Sequence, residues 1–526
     1  GGSALDAAIA VQMVLALVEP QSSGIGGGAF LLHFDGASVQ AFDGRETAPA
    51  GAGPTLFLRP DGKPMGFIEA VVGGRSVGVP GTVRMLEQAH RQHGQLPWAR
   101  LFTPAIQLAE QGFPVSARLH TLLAEEEHLK QDPDAAAYFF DPHGQPWPEG
   151  HPLKNPAFAR QLRKIAEQGA SALHTGATAQ AIVNKVRTHP NNPGVMTLDD
   201  LAGYQPRQRD ALCFKHSVPP QTYQICGFPP PSSGAITVGQ ILGLLQHTPA
   251  ATQPLNQQGL PDADWLHYYT EASRLAFADR AAYIADPDFI EPPAGAWSSL
   301  LDPAYLRQRA QQIGPRAMTQ VQAGRPGGAA RAFAPMLAQP EYGTSHVSIV
   351  DANGNAVAMT SSIEYVFGAK LMVNGFLLNN ESTDFSFAPR NASGEPVANR
   401  VQPNKRARSS MSPILVFNAA TGELVLSGGS AGGSLIIHHM AKILWAKLHW
   451  GLNVHEAISL PNFGPLQGMS LLEEGRFPPA TVNALRARGH AVRETALTSG
   501  LHAIERTADG YFGGADPRRE GLVQGD

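Results

Sequence analysis

The sequence has no apolar run long enough to cross a bilayer. Its longest, Ala7 to Val18, falls short of the roughly 20 residues a spanning helix requires and is interrupted by Gln12. It is also poor in charge. Only 16% of residues are Asp, Glu, Lys or Arg, the formal net charge is -4, and no long basic run occurs. That excludes nucleic acid or an anionic membrane as the principal partner. Cysteine is nearly absent. Cys213 and Cys226 are too few for a disulfide scaffold and cannot by themselves form a structural zinc site. They flank Val218-Pro219-Pro220 and read equally as a bridge across a hairpin or as two buried thiols. Metal-ligand spacing is missing too. His455-Glu456 opens a zinc-protease motif, but Ser459 stands where the second histidine belongs, and His438-His439 are adjacent and cannot both face one metal on a helix. No catalytic metal and no other cofactor are expected. The chain opens on Gly1-Gly2-Ser3, without a charged segment followed by an apolar one, so an export signal would lie upstream.

What is present is a chain of 526 residues, 43% apolar, with 55 Gly and 43 Pro. That describes a compact protein rich in tight turns, either three to four domains or one large α/β unit. The apolar, alanine-rich stretch Ala4 to Val18 predicts a buried helix. A glycine loop, Gly24-Ile25-Gly26-Gly27-Gly28, precedes a strand over Ala29 to Phe34. Helical stretches dominate from about 80 to 320, for example Trp265 to Ile284, where Leu266, Tyr269, Ala272, Ser273, Ala276 and Arg280 keep a helical period. Gly, Ala and Pro crowd together between Gly324 and Gln339, which reads as a mobile linker. Strands follow. His346 to Val350 and Ala356 to Ser361 flank Asp351-Ala352-Asn353-Gly354-Asn355, a hairpin signal. A three-residue loop with Gly354 left-handed sets Thr344 opposite Ser362, whereas a two-residue loop shifts that pairing by one. A later strand, Glu423 to Leu426, enters Ser427-Gly428-Gly429-Ser430-Ala431-Gly432-Gly433 and a helix from Ser434 to Leu448.

Gly24-x-Gly26-x-x-Ala29 fits the letters of a dinucleotide fingerprint, but it follows a helix and precedes a strand, the reverse of the order that fingerprint needs. The loop at 427–433 has the strand-to-helix context of a phosphate loop but lacks its Gly-Lys-Ser/Thr. Ser345 and His346, as neighbours on a strand, point to opposite faces and make a poor nucleophile and base. Thr344 follows a glycine and opens the hairpin. On spacing alone it is an ordinary strand-opening threonine. If the bond before it is cut, its own α-amine, a group that ordinarily titrates at about 7.7 to 8.0, becomes a general base beside its hydroxyl. The acids downstream favour that second reading. Glu364, Glu381 and Asp384 are interleaved with Phe376, Leu377, Leu378, Phe385 and Phe387, a pattern for a half-buried pocket that holds a cationic amine. Ser409-Ser410 and Gly432-Gly433 add donors suited to a carboxylate and an oxyanion.

Taken in order, the motifs resemble the γ-glutamyltransferase (glutathione hydrolase) family of N-terminal nucleophile hydrolases, over nearly the whole chain. They are Gly1-Gly2-Ser3-Ala4-Leu5-Asp6-Ala7-Ala8, Arg45-Glu46-Thr47-Ala48-Pro49, Gly78-Val79-Pro80-Gly81, Pro229-Pro230-Pro231-Ser232-Ser233-Gly234, Gly343-Thr344-Ser345-His346, Pro403-Asn404-Lys405-Arg406, Ser409-Ser410-Met411-Ser412-Pro413, Gly432-Gly433-Ser434 and Gly514-Ala515-Asp516-Pro517-Arg518-Arg519. The family's shared motifs begin a few dozen residues before Gly1, so the sequence looks truncated at its start. The resemblance implies an α/β four-layer αββα sandwich and a zymogen that cleaves itself between Gly343 and Thr344. It implies a heterodimer of a large subunit, 1–343, ending in the linker, and a small subunit, 344–526, intertwined as one structural unit. Position by position it makes Thr344 the nucleophile and Ser362 the hydroxyl that supports its amine. Arg45, Ser409 and Ser410 match the groups on the donor's α-carboxylate; Glu364, Glu381 and Asp384 match those on its α-ammonium. The amides of Gly432 and Gly433 match the oxyanion hole. The implied substrates are small molecules: glutathione, other γ-glutamyl compounds, and amino acid or peptide acceptors. The implied compartment is periplasmic or secreted.

Three departures from the family pattern stand out. Ser345 replaces the more common second Thr. Glu364 and Glu381 stand where many members have Asn and Gln. Phe385 to Arg408 is shorter than a full lid and carries no Tyr or Trp. Two other readings compete. An acylase releasing glutaryl-like side chains would share the scaffold, but a glutaryl group has no ammonium for three acids to hold. An unprocessed, non-catalytic binding protein would have no need of Thr344, Ser362, Arg45 and both loop glycines.

Overall fold

The computed structural model describes residues 2–328, 333–337, 339–340 and 343–525. Helix α1 (Ala4–Val18) leads to strands β1 (Gly28–Phe34) and β2 (Val39–Asp43) and helix α2 (Thr82–His93). Beyond further helices come β3 (Arg207–Asp210), β4 (Leu212–Val218), β5 (Gln221–Gly227), α3 (Gly234–Leu245) and α4 (Ala263–Tyr283). Past residue 343 lie β6 (Ser345–Val350), β7 (Ala356–Ser362), β8 (Ile414–Asn418), β9 (Leu424–Gly429), α5 (Leu435–Leu448), β10 (His502–Thr507) and β11 (Gly510–Ala515). No described helix is long and apolar enough to cross a membrane. The chain divides into two compact units. One comprises 1–209, 340–389 and 400–407; the other comprises 210–339, 390–399 and 408–526.

The first unit is built on a five-stranded sheet in the order β3-β2-β1-β7-β6. Residues from both sides of position 343 therefore share one sheet. Helix α1 starts where Ser3 accepts from the Asp6 amide while the Asp6 carboxylate accepts from the Ser3 amide, a closed capping box. Its Leu5, Ile9, Met13 and Leu17 pack in one core with Leu31 and Phe42 of the first sheet strands and Val357 and Met359 of β7. The hairpin β6–β7 adopts the three-residue loop. Asp351 donates its amide to the Asn355 carbonyl at 3.0 Å, Gly354 has φ 81°, and the ladder pairs Val350 with Ala356 through Ser345 with Ser361. Extended by one residue, that register sets Thr344 against Ser362. The glycine loop explains how β1 reaches this point. A Cβ on Gly27 would sit 2.1 Å from the Ser362 carbonyl oxygen and one on Gly26 2.2 Å from that of Leu377. Only bare backbone passes there.

The second unit is built on a six-stranded sheet in the order β11-β10-β9-β8-β5-β4. Helices α3 and α5 are almost wholly buried, and α4 is buried over most of its length. Cys213 and Cys226 are paired in the β4–β5 register and joined by a disulfide, which resolves the two readings of their sequence. Two elements run longer than the sequence indicated. Asp262 accepts from the Trp265 amide at 2.8 Å and so starts α4 at Ala263. Strand β9 runs on to Gly429 because β10 pairs with it as far as Gly429–His502. The linker is better anchored than its composition suggests. Gly324 donates to Asp279 at 2.7 Å and accepts from the Tyr283 hydroxyl at 2.5 Å, and Ala334 and Met336 are buried. Residues 329–332 and 338 of that stretch lie outside the described residues.

Candidate active site

Thr344 stands at the mouth of β6 with 2% of its surface exposed. Its hydroxyl lies 2.5 Å from the carbonyl oxygen of Gly343, and the Ser362 hydroxyl donates to the same oxygen at 2.7 Å. The peptide carbonyl before Thr344 is thus approached by two hydroxyls, its own neighbour's and that of the residue across the hairpin. Gly343 is required here for space, because a Cβ would sit 2.7 Å from the Glu364 carbonyl oxygen. Ser345 and His346 diverge as strand neighbours do. The Ser345 hydroxyl donates to Glu19 at 2.7 Å, and His346 meets Thr360 at 2.8 Å.

A chain of hydrogen bonds leads from this bond to an acidic pocket. The Glu364 amide donates to the Ser362 hydroxyl at 2.8 Å, and the Glu364 carboxylate accepts from the Asn380 side-chain amide. Glu364 is held at φ 73°, a left-handed backbone that Glu rarely adopts. Asn379 fixes the next turn by donating to the carbonyls of Gly26 at 2.7 Å and Gly78 at 2.9 Å, while its oxygen accepts from the Glu381 amide at 2.9 Å. Glu381 to Asp384 then forms a single 3₁₀ turn, which brings the side chains at its two ends to one face.

That face meets Arg45, just past β2. The Arg45 Nε donates to the Ala407 carbonyl at 3.0 Å, one terminal nitrogen to Glu381, and the other to Asp384 at 2.5 Å. Arg45 is 1% exposed, and its neighbouring carboxylates hold its pKa above the ordinary arginine value despite burial. Burial pushes the Glu381 carboxyl well above the usual range, Arg45 pulling the other way. Glu46, singled out in the sequence only as part of a motif, is equally buried, and burial pushes its carboxyl up to about 8.

The second unit carries the remaining candidates. Ser409 is fixed by the Pro229–Gly234 turn: its amide donates to the Pro231 carbonyl at 2.9 Å, and its carbonyl accepts from the Ser233 hydroxyl at 2.8 Å. Arg280 of α4 donates to the Ser410 hydroxyl at 2.5 Å and to that of Ser233 at 2.8 Å. Gly432 and Gly433, between β9 and α5, have φ 125° and 59°, a left-handed pair that leaves successive amides at the start of a helix. Beneath them the Ser430 hydroxyl meets His439 at 3.1 Å.

A family profile described as "Gamma-glutamyltranspeptidase" matches residues 1–525. The chain belongs to the gamma-glutamyltranspeptidase family. It is 34% identical over 539 residues to the "Glutathione hydrolase proenzyme" of Bacillus subtilis strain 168, covering 100% of this chain and 88% of that protein. The "Glutathione hydrolase proenzyme" of Escherichia coli K12 is also 34% identical, covering 98% of this chain and 87% of its own length. Among solved structures, the gamma-glutamyltranspeptidase of Helicobacter pylori superimposes with a TM-score of 0.56 at 31% identity, covering 62% of this chain and 90% of that one. A cephalosporin acylase from Bacillus halodurans superimposes with a TM-score of 0.83 at 24% identity, covering 100% of this chain and 91% of that one. That likeness concerns the fold, which is the mixed helix-and-sheet fold of N-terminal nucleophile hydrolases.

In this chain the first unit brings together Gly343, Thr344, Ser362, Glu364, Glu381, Asp384 and Arg45. The second unit holds Ser409, Ser410, Gly432 and Gly433. Three residues escaped the sequence reading as participants: Glu46, Asn380 and Arg280. Arg280 showed only as one step of a helical period, since its partners lie 47 and 130 residues away. Glu46 did carry a signal, namely its place directly after Arg45 in the Arg45-Glu46-Thr47-Ala48-Pro49 motif.

Proposed function

We propose that the chain is a self-processing γ-glutamyltransferase and glutathione hydrolase that acts through a γ-glutamyl-Thr344 ester. Membership of the family supports the activity. The observation that carries the assignment to residues is the pair of hydroxyls on the Gly343 carbonyl. In the processing step the Thr344 hydroxyl oxygen attacks the Gly343 carbonyl carbon. The C–N bond breaks, the hydroxyl proton goes to the released nitrogen, and an ester remains. Water opens that ester and leaves fragments 1–343 and 344–526, the second with a free α-amine. Ser362, already donating to the carbonyl oxygen, stabilises the charge that develops there.

In turnover the freed amine takes the proton from the Thr344 hydroxyl as it attacks the γ-carbonyl of the donor, and returns it to the leaving amine. Water or an acceptor amine then removes the γ-glutamyl group. The donor is a zwitterion with its reacting carbonyl three carbons away, so it needs one cationic and one anionic clamp to hold that carbonyl in line. We assign Arg45, Ser409 and Ser410 to the carboxylate; Glu364, Glu381 and Asp384 to the ammonium; and the amides of Gly432 and Gly433 to the oxyanion. The donor is glutathione or a related γ-glutamyl compound, and the compartment is periplasmic or secreted.

The test is a gel and a sequencer. Purified full-length chain is expected to convert to two fragments, the smaller beginning Thr-Ser-His, and to release glutamate from glutathione but not glutarate from a glutaryl amide. Thr344→Ala lacks the hydroxyl and should remain one inactive chain. A smaller fragment with a different first residue would refute the assignment of the nucleophile.

A further inference from the structure

A cavity of about 340 Å³ opens on the surface of the first unit, and none of the residues assigned to the donor lines it. It runs past His128 and His189 into a second hollow of about 170 Å³ that reaches Lys370. Small-molecule sites typically measure about 300–1,000 Å³. The polar side of the cavity is held from behind. Asn192, 5% exposed, donates its side-chain amide to the carbonyls of Glu69 at 3.1 Å and Val72 at 3.0 Å. Its oxygen accepts from Arg75 Nε at 2.7 Å, and one terminal nitrogen of Arg75 donates to the Leu56 carbonyl at 2.9 Å. The guanidinium is thereby fixed, while its other terminal nitrogen has no partner among the described residues.

Two imidazoles add donors. His189 Nδ1 accepts from the Asn192 backbone amide at 3.0 Å, and His128 Nδ1 accepts from the Gln131 side chain at 3.3 Å. Each neutral ring therefore carries its proton on Nε2, which has no partner among the described residues. Charge points the same way. Glu69 is already engaged by Arg59, whose Nε donates to it at 3.1 Å, and by the Gly66 amide at 3.0 Å. In the second hollow Asp132 is taken by Lys185 at 2.9 Å. Two guanidiniums thus line the larger cavity against one carboxylate, an excess of one positive charge. Leu58, Met65, Ile68 and Val72 supply an apolar wall, in which Ile68 is 38% exposed.

We propose that this cavity binds a carboxylate borne on an aliphatic body, the chemistry presented by the C-terminal residue of a peptide ending in leucine. Arg75 and the Nε2–H groups of His128 and His189 take the carboxylate, and the apolar wall covers the side chain. An inorganic anion leaves the wall wet, and an aliphatic amide leaves the Arg75 charge unmatched. The γ-glutamyl pocket holds its ligand by a free ammonium, so an N-acylated ligand separates the two sites.

The test is isothermal titration calorimetry of N-acetyl-L-leucine into the purified full-length protein, with N-acetyl-L-leucinamide and inorganic phosphate as controls. N-acetyl-L-leucine is expected to bind at least about tenfold more tightly than either control, with or without saturating L-glutamate. Arg75→Met should weaken it at least about tenfold, and Ile68→Ser, at an exposed position, about threefold or more. No binding by the wild type overturns the proposal. So do equal binding of the amide or of phosphate, displacement by L-glutamate, and unchanged affinity in either variant. Should Arg75→Met fail to fold, Ile68→Ser and the two controls decide.

Discussion

At the scale of single residues, the pocket is governed by how one guanidinium is shared. Arg45 uses Nε on a backbone carbonyl and its two terminal nitrogens on two carboxylates, a planar arrangement that a lysine cannot reproduce. Arg45→Lys should therefore raise the KM for glutathione at least tenfold, about 1.4 kcal/mol, while self-cleavage, which we place after Gly343, survives. An unchanged KM would make Arg45 a structural ion pair only. Glu364 sits in the left-handed region, where Asn is better tolerated than Glu. Glu364→Asn should raise thermal stability by up to about 1 kcal/mol and weaken donor binding. The two effects are separated by comparing the melting temperature of the processed enzyme with its KM. A variant that bound donor as tightly as wild type would show that this carboxylate is dispensable for the ammonium.

At the scale of elements, the hairpin and the glycine loop together build the proposed cleavage point. The three-residue turn at 352–354 fixes the register, the register sets Thr344 against Ser362, and the loop at 24–28 lets β1 approach the end of β7. A methyl group on Gly27 would overlap the Ser362 carbonyl, and backbone rather than a flexible side chain would have to yield. Gly27→Ala should cost roughly 1–3 kcal/mol, the usual range for overpacking, and slow or abolish self-cleavage by moving Ser362 from the Gly343 carbonyl. The fraction processed after expression, read on a gel, checks this. The short segment 385–408 ends in an exposed tip at 390–395, closed as an ordered turn by the Asn391 oxygen accepting the amides of Ser393 and Glu395. An Asx turn of this kind is what Asn close to Ser and Gly favours.

At the scale of the whole molecule, buried histidines set the acid limit. Burial, the first cause in each case, lowers His174 and His216 to about 3, and His33, His438, His449 and His490 to about 4. In the unfolded chain each returns to an ordinary value, so between about pH 4 and 6.5 the unfolded state binds more protons. Their contribution is complete above the unfolded value and is lost as pH falls toward the folded one. For fully buried His438 the loss at pH 5 is about 2 kcal/mol. Glu46, raised to about 8, and Glu381, raised well above its ordinary value, act in the opposite sense, their contribution falling as pH rises from the ordinary carboxyl value, but they are two groups against six. The melting temperature should drop steadily from pH 6.5 to 4. A flat profile there would mean that these imidazoles reach water in the native state.

The sequence by itself determined what rests on local chemistry. Helix α1 follows from Ser3 and Asp6 and an apolar run, the hairpin follows from Asp351 to Asn355 and a period of two, and the divergence of Ser345 from His346 follows from that period. The choice between a two-residue and a three-residue loop, and with it the register that sets Thr344 against Ser362, came from the folded hairpin. Only the tertiary structure decided what rests on distance along the chain. The bond between Cys213 and Cys226 depended on strands β4 and β5 pairing in one particular register. Arg45 meets Glu381 across 336 residues and Asp384 across 339, and no periodicity links such positions. The raised carboxyls of Glu46 and Glu381 are further still from sequence, because folding strips water from three acids around one arginine only once the groups are buried together.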